Sequence, residues 1–407
     1  MGAIKVFIKP FKTDGTYQDD FIDVTADVSE DTIGSITQKL DGSDFDTGVF
    51  TNSSFSMKLN NQSGSYNDVG SLTSMFNYRR AGTLVRVTWL FGEYEPILGS
   101  AICGEAILGP QEIFYEGILE DKATTINVET NLITFNVLGR ASIFEAVEIP
   151  SGAPVNTDTV KQAIFDILDQ TEITTLLTVT LANIDPDLNF VIDDVSDFEN
   201  GTVKEVLDDL LAASNSVLVI EDDVVYVKSR DESTELIYTF YGQASPRGIE
   251  NIANITNYKN GMNRTFNLWT WEGTSLVARN TSSIDDYGVR KKEISYGFVT
   301  NNTTRQAILD NLIGEFGIPK VEFDLKGLWD IDTIQLDQLD KISVDYPSTS
   351  IAIGDNVLPL YGVAKYGTDK YPFTEFSLTI DRDERFKIIG ITVNLKMQEV
   401  TFKLREV

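Results

Sequence analysis

Apolar and polar residues alternate with a period of two in several short stretches of the first third of the chain. Phe55, Met57 and Leu59 are interleaved with polar residues. The same alternation joins Val85, Val87, Trp89 and Phe91. Successive side chains of a β-strand point to opposite faces, so this period predicts strands with one buried and one solvated face. A turn-rich loop is predicted at 40–48 and a short helix at 71–80.

A longer stretch of the same type, IFYEGILEDKATTINVETNLITFNVLGR, runs from Ile113 to Arg140. One face is predicted to carry Ile126, Val128, Ile133, Phe135 and Val137, on the two sides of a polar turn near 129–131. This arrangement predicts a long hairpin with one wet and one dry face.

The pattern changes near Pro150, Gly152 and Pro154, where a domain boundary is predicted. A helical period then joins Val160, Ile164, Ile167 and Leu168. The clearest helix follows, with apolar residues at Val203, Val206, Leu207, Leu210 and Leu211. Thr202 and Glu205 form a capping box at its start. The next segment, NSVLVIEDDVVYVKSRD, predicts a strand, a turn at 221–223 and a second strand.

Strand-like alternation returns after Leu236. Two strands are predicted around the hairpin signal Asn260-Gly261, with Trp269 and Trp271 in a buried layer. A helix that carries Ile308, Leu309, Leu312, Ile313 and Phe316 is predicted to stop before Pro319. Further strands are predicted at 335–346 and 376–381. The closing segment, FKIIGITVNLKMQEVTFKLREV, predicts a hairpin that resembles the one at 113–140, and the two are matched through Gly117-Ile118 and Gly390-Ile391.

These elements predict a mainly β fold with an α/β insert. The predicted domains are a first antiparallel β-barrel at 1–150, a small α/β module at 151–240, and a second β-barrel at 241–407 with a helical insertion near 303–317. The repeated hairpins indicate that the two barrels are related.

Composition excludes many functions. The 407 residues include no histidine, which removes Ser-His-Asp, Cys-His and His-metal sites. The single cysteine, Cys103, has apolar neighbours and is predicted to be a buried structural residue. The net charge of −29 disfavours nonspecific binding to nucleic acid. We expect no export signal and no transmembrane segment.

Acidic clusters are the remaining candidates for chemistry. The segment that starts at Asp185, with Asp187 and Asn189, begins like a calcium loop, but Phe190 and Ser196 replace its required glycine and glutamate. The clusters at 329–340 and 381–384 are interpreted as turns. Tryptophans beside carboxylates would suit a sugar site, but no acidic pair can be placed beside Trp269 and Trp271. The sequence therefore predicts no catalytic, cofactor-binding or metal-binding residues, no cofactor and no enzymatic activity.

The order of these elements resembles the baseplate hub proteins of tailed bacteriophages and related contractile injection machines. The resemblance rests on FYEGILEDKATTINVETNLITFNVLGRASIF, then GTVKEVLDDLLAASNSVLVIEDDVVYVKSRD, then the closing hairpin. It implies a homotrimer in which each chain supplies two tail-tube-like barrels, so that three chains form a pseudo-sixfold ring that matches a hexameric tail tube. The long hairpins would then form the wall of a channel.

The resemblance also implies partners and a location. The expected partners are a tail tube or distal tail protein, a tape-measure protein, and a tail spike or tip protein, with the genome passing through the channel without specific binding. The protein would be assembled in the host cytoplasm and reside in the virion tail. The acidity would keep DNA off the channel wall, or would serve solubility alone. The alternatives are a carbohydrate-binding or depolymerising tail protein and a distal tail ring protein.

Overall fold

The computed structural model describes residues 3–12, 14, 16–29, 35–41, 50–77, 79–90, 111–198, 201–221, 223–230, 236–242, 252–259, 264–328, 333, 336–346, 380, 384–394, 397 and 399–407. The first third forms seven strands: β1 (Ala3–Lys9), β2 (Ile22–Asp23), β3 (Ile36–Asp41), β4 (Phe50–Asn60), β5 (Leu84–Leu90), β6 (Gln111–Asn127) and β7 (Leu132–Gly139). The middle contains α1 (Val160–Leu168), α2 (Thr171–Thr174), α3 (Val203–Ala213), β8 (Ser216–Glu221) and β9 (Val224–Ser229).

The last part of the chain mixes strands with two helices. Its elements are β10 (Tyr238–Tyr241), β11 (Ile252–Lys259), β12 (Leu268–Trp271), β13 (Val277–Arg279), α4 (Thr281–Tyr287), β14 (Lys291–Ile294), α5 (Asn302–Phe316), β15 (Glu322–Leu328), β16 (Lys341–Asp345), β17 (Arg385–Asn394) and β18 (Glu399–Glu406). Short 3₁₀ turns occupy Thr25–Asp27, Arg140–Glu145, Leu181–Asn183 and Ser196–Phe198.

One continuous sheet contains most of the strands. Its pairs follow the path β11-β15-β18-β17-β3-β4-β7-β6-β5-β1-β2, with β16 and β10 beside β17 and with β8 and β9 attached to β4. The mainly β fold is therefore confirmed. The described strand pairs form an open path rather than a closed barrel, so the two barrels stay a prediction.

The sheet contains the same strand order twice. In the first half, β3, β4, β7, β6 and β5 are consecutive neighbours, and in the second half β11, β15, β18, β17 and β16 are. The order along the chain also agrees: the last two strands of each set in sequence, β6 and β7 in the first and β17 and β18 in the second, form a hairpin. The halves meet where β17 pairs antiparallel with β3, with Thr392 opposite Thr37 and Val393 opposite Ile36.

Strand pairing also fixes how the two hairpins correspond. Both end in a four-residue connection, closed by Asn127 opposite Leu132 in one and by Asn394 opposite Glu399 in the other. Counted from there, Thr125-Ile126-Asn127 matches Thr392-Val393-Asn394, and Phe135 matches Phe402. The match through glycines predicted from the sequence is wrong, since Gly117 lies 127 − 117 = 10 residues before the end of β6 and Gly390 lies 394 − 390 = 4 before the end of β17.

Two hydrophobic cores support this architecture. The first lies against the sheet and draws on both halves, including Phe55, Met57, Phe135, Phe323 and Phe402. The second combines α1, α3 and β8 with residues between β11 and β15, including Trp269, Trp271 and Phe316. The second core therefore takes residues from both sides of position 240, while the domain division at 150 and 240 stays a prediction.

The three long helices follow the predicted pattern. Thr202 caps α3 through its side chain and Glu205 completes the capping box. Thr159 caps α1 in the same way, by accepting from the backbone N–H of Gln162. The predicted helix before Pro319 is α5, capped by Asn301. Each cap satisfies backbone donors that a helix start leaves without partners.

Three local predictions are wrong. Residues 71–77 form turns rather than a helix, because Ser74 accepts from Phe76 N–H and donates to the Asn67 carbonyl, which competes with helical bonds. Strands β11 and β12 do not pair across Asn260-Gly261: β11 pairs with β15, and β12 pairs with β13 and β14. The strand predicted at 335–346 is confined to β16. The stretch 376–381 lies outside the described residues except for Ile380, which bridges to Tyr346.

Candidate functional site: the polar face and the open edges of the sheet

The sheet presents one polar face opposite its core. In β4, Ser54, Ser56 and Lys58 are exposed while the residues between them are buried. The alternation in β7 is complete, with every second residue from Ile133 to Gly139 buried. The predicted wet and dry faces of the hairpin are confirmed along β7.

Polar residues continue across strands in register. One row of directly opposed residues crosses six strands: Asn254, Lys326, Thr401, Thr392, Thr37 and Ser54. A parallel row contains Lys58, Thr134 and Thr125. Directly opposed residues of a sheet share one face, so both halves contribute to a single polar surface.

The described charges on this face are mixed. Lys326 and Glu399 form an ion pair at 2.6 Å, and Asn257 donates to the carboxylate of Asp324. Lys403 lies opposite Asp324, which places charges of opposite sign side by side. The acidic residues that give the chain its net charge of −29 are therefore not concentrated on the described part of this face.

Ion clusters occupy the polar face at the end away from the hairpin tips. Glu116, on β6, accepts from Arg86 at 2.7 Å and from Arg140, and Arg140 also donates to the Leu176 carbonyl of the second core. Removing either partner would leave an uncompensated buried charge, so substitutions at Glu116 or Arg140 are expected to destabilise the junction between sheet and second core.

The second half carries a larger cluster. Glu322 is 1% exposed, and its carboxylate oxygens lie 2.7 Å from Nη1 of Arg264 and 3.1 Å from Nζ of Lys259. The carboxylate oxygens of Glu315, at the end of α5, lie 2.9 Å from Nζ of Lys320 and 3.7 Å from Nη2 of Arg405. Burial by itself raises the pKa of Glu315, but the positive charges of Lys320, Arg405 and Lys387 outweigh it and lower the pKa to about 2. Glu315 is therefore ionised at neutral pH.

Within the two duplicated sets of strands, two stretches of edge lack a partner among the described residues. Strand β11 lies at the end of the sheet path and pairs only with β15. Strand β6 pairs with β5 only as far as Ile118, so one edge from Glu120 to Asn127 is open, while on the other edge Glu120 and Thr125 to Asn127 pair with β7. Unpaired strand edges are templates for pairing with another chain.

Exposed apolar side chains mark these edges. Ile126, on the open part of β6, is 44% exposed, whereas its counterpart Val393 is 3% exposed. Tyr258, on β11, is 47% exposed, and partial burial with the negative charges of Glu384 and Glu406 raises its pKa. The difference between Ile126 and Val393 has a direct cause: β3 covers Val393, and no described strand occupies the same position beside Ile126.

The sequence-based candidates for chemistry have structural roles. Asp187 accepts from the amide groups of Asn215 and Asn311, which joins the α/β segment to α5. Asp193 accepts from the backbone N–H groups of Thr300 and Asn301, and these bonds lower its pKa despite partial desolvation. Within the described ranges, no group of three or more Asp, Glu, His or Cys residues could hold a metal ion.

The remaining candidates add no binding site. Trp269 and Trp271 are 0% and 1% exposed in the second core, so their predicted burial is confirmed and neither can stack on a sugar. Their strand, β12, belongs to a separate three-stranded sheet with β13 and β14. Cys103, the segment 329–332 and the acids at 381–383 lie outside the described residues. No helix in the part of the chain that the structure describes is long and apolar enough to cross a membrane. The open edges were missed from the sequence because only the pairing path reveals them.

The fold is shared with tail proteins of solved structure. The tail protein from Neisseria meningitidis MC58 is 13% identical, with a TM-score of 0.55, over 100% of this chain and 96% of that one. The prophage tail protein gp18 from Listeria monocytogenes EGD-e is 10% identical, with a TM-score of 0.51, over 98% and 94%. A chain of the half-lidded Francisella PdpA-VgrG complex is 11% identical, with a TM-score of 0.51, over 100% of this chain and 58% of that one. No protein-family model and no curated protein sequence matches the chain.

Proposed function

We propose that the chain is a structural protein of a phage tail and forms its trimeric hub, between a hexameric tail tube and a trimeric tail tip or spike. The observation that carries this proposal is the duplicated strand order within one continuous sheet. Two equivalent units per chain give six in a trimer, which is what a ring needs to match a sixfold tube on one side and a threefold tip on the other. The shared fold with tail proteins supports the assignment.

The polar face is proposed to line the channel through which the genome passes. Its rows offer hydroxyl groups from Ser54, Thr37, Thr392 and Thr401, and Lys326 and Lys403 of this face lie opposite neutral or acidic residues. DNA binds nonspecifically through clustered cations that neutralise its phosphates. The cations that cluster at one end of this face are paired with Glu116, Glu322 and Glu315 and are mostly buried. Low affinity for DNA would therefore come from balanced charge on the wall rather than from repulsion by acids.

Duplication also separates the hub from its nearest alternative. A distal tail ring protein would supply one tube-like unit per chain, whereas this chain supplies two sets of five strands in the same order. We propose the tail tube or distal tail protein, the tape-measure protein and the spike or tip protein as partners, and a non-enzymatic role in the virion.

Electron microscopy tests the proposal. Class averages of the purified chain are expected to show a threefold ring with a pseudo-sixfold inner wall and an open channel. Gold-labelled antibody against the chain is expected to mark only the distal end of tails, with antibody against the tube protein as the control that marks their length. Labelling along the whole tail, or absence from virions, would contradict the hub assignment.

A further inference from the structure

The two halves of the chain are joined where β17 pairs with β3, and we call this pairing the internal joint. The duplicated sheet contains the equivalent pair of strand edges a second time, but in the part of the chain that the structure describes the two are not paired with each other. In the internal joint the distal part of the first hairpin strand, Gly390 to Val393, pairs antiparallel with β3 of the other half. The counterparts of these two segments are the distal part of β6 and strand β11. Both have an open edge among the described residues.

We propose that the open edge of β6 in one copy of this chain pairs with β11 of the next copy, in the register that joins β17 to β3. The inference deepens the proposed hub by naming the surfaces through which its copies associate. The contact is head-to-tail, because one copy uses β6 and its neighbour uses β11, and such contacts close into rings when the rotation between copies permits.

The corresponding positions define the register. Thr392-Val393 corresponds to Thr125-Ile126 at the same distance from the hairpin tip. Strand pairing relates β3 to β11: Thr37 lies opposite Ser54 and Lys259 opposite Glu322, and Ser54 and Glu322 lie opposite the seventh residues of β7 and β18. Thr37 therefore corresponds to Lys259 and Ile36 to Tyr258. Because Thr392 lies opposite Thr37 and Val393 opposite Ile36, the copied joint places Thr125 opposite Lys259 and Ile126 opposite Tyr258.

Burial supports the same register. Val393 and Ile36 are 3% and 2% exposed in the internal joint. Ile126 is 44% exposed and Tyr258 is 47% exposed, which is the state expected for two residues that lack their neighbours. Burying the apolar area of this pair favours association by the hydrophobic effect.

Irregular backbone limits the joint to a few residues. The irregular part of β6 lies between Glu120 and Thr125, and Thr125 to Asn127 are in regular register with β7. In β11, the register with β15 shifts between Thr256 and Lys259, and Lys259 again lies opposite Glu322. These irregularities make the two edges selective for a matching strand.

Engineered disulfides test the joint, because opposed residues of paired strands lie within the Cα separation that a disulfide spans. All variants carry Cys103→Ser. Under mild oxidation, a mixture of the T125C chain and the K259C chain is expected to form a disulfide-linked dimer, while neither alone gives this mixed product. The matched control, T37C with T392C in one chain, is expected to form an intramolecular disulfide at the internal joint.

A second measurement does not depend on disulfide geometry. Ile126→Arg is expected to weaken self-association at least about tenfold in sedimentation experiments, since it places a charge in an apolar contact. Val128→Arg, on the adjacent turn, is the control and is expected to leave association unchanged; Val128 is 83% exposed and lies outside the copied register.

The outcomes separate this inference from the hub proposal. Trimers that form without a disulfide between positions 125 and 259, while the internal control closes and Ile126→Arg has no effect, overturn the joint and leave the hub intact. A chain that stays monomeric at all concentrations and gives no intermolecular disulfide overturns both the joint and the trimer.

Discussion

Replacing Glu315 with Gln removes a buried negative charge at the contact between α5 and the sheet. Glu315 is 6% exposed and lies beside Lys320 and Arg405. The substitution keeps the shape of the side chain but leaves these two cations, themselves nearly buried, without a carboxylate. We expect the variant to fold and to be less stable than the wild type.

The size of the loss follows from the pKa of Glu315. It falls from an ordinary value of 4.5 to about 2, and each pKa unit is worth about 1.4 kcal/mol, so ionised Glu315 contributes about 3 kcal/mol to the free energy of unfolding. A lowered pKa gives a contribution that is fully present above pH 4.5 and is lost as the pH falls from 4.5 towards 2. At pH 3 the same arithmetic leaves less than half of this contribution.

Urea unfolding followed by tryptophan fluorescence measures the effect. Trp269 is a suitable reporter because its ring lies 6.0 Å from that of Phe316, the neighbour of Glu315. At constant protein concentration, we expect E315Q to be less stable than the wild type by about 3 kcal/mol at pH 7, with less than half of this difference remaining at pH 3. The control is E293Q, whose partner Lys291 lies at 3.2 Å with both side chains 49% exposed, and whose effect should stay below about 0.5 kcal/mol.

Two results would refute this reasoning. An E315Q protein as stable as E293Q at pH 7 would show that Glu315 makes no net contribution. A difference between E315Q and the wild type that stays constant from pH 7 to pH 3 would show that the loss arises from packing rather than from charge.

Three further predictions test the fold. Phe135→Ala and Phe402→Ala, at matched positions that are both 0% exposed, should each lower the free energy of unfolding by about 3–5 kcal/mol; a loss below about 1 kcal/mol in either would contradict their equivalence. Gly117→Ala should destabilise by about 1–3 kcal/mol in thermal unfolding, because its Cβ would lie 2.5 Å from the Leu138 carbonyl oxygen. Gly314→Ala in α5 meets nothing within 4 Å and should stabilise by about 0.5–1 kcal/mol, and a Gly117→Ala protein more stable than Gly314→Ala would refute the packing. Asp193→Ala should lower the free energy of unfolding by about 1 kcal/mol and speed hydrogen exchange at the backbone amides of Thr300 and Asn301. Unchanged exchange at these two amides would exclude their hydrogen bonds to Asp193.

Much of the secondary structure was predictable because its cause is local. The period of two along β4 and β7 reflects which side chains face the core. The capping box at Thr202 and Glu205 and the apolar stripe of α3 involve residues within one or two helical turns. By contrast, residues 71–77 failed as a helix because the hydroxyl of Ser74 bonds the backbone on both sides of it, which the apolar pattern does not reveal.

Strand partners and core membership were less predictable because they depend on contacts between distant residues. Nothing near Asn260-Gly261 indicates that β11 will pair with β15 after more than sixty intervening residues. Trp269 and Trp271 carry a buried pattern that fits any core, and only packing against α5 and the α/β segment places them in the second one.

The sequence by itself determined that this protein is mainly β, that its hairpins occur in two related copies with polar and apolar faces, and that histidine chemistry is absent. These properties follow from residue types and short spacings. The tertiary structure alone decided that the two copies share one sheet, joined from β17 to β3, and that β11 and the distal part of β6 have an edge that no described strand covers. A strand edge is satisfied or open according to which backbone lies beside it, and that neighbour comes from elsewhere in the chain.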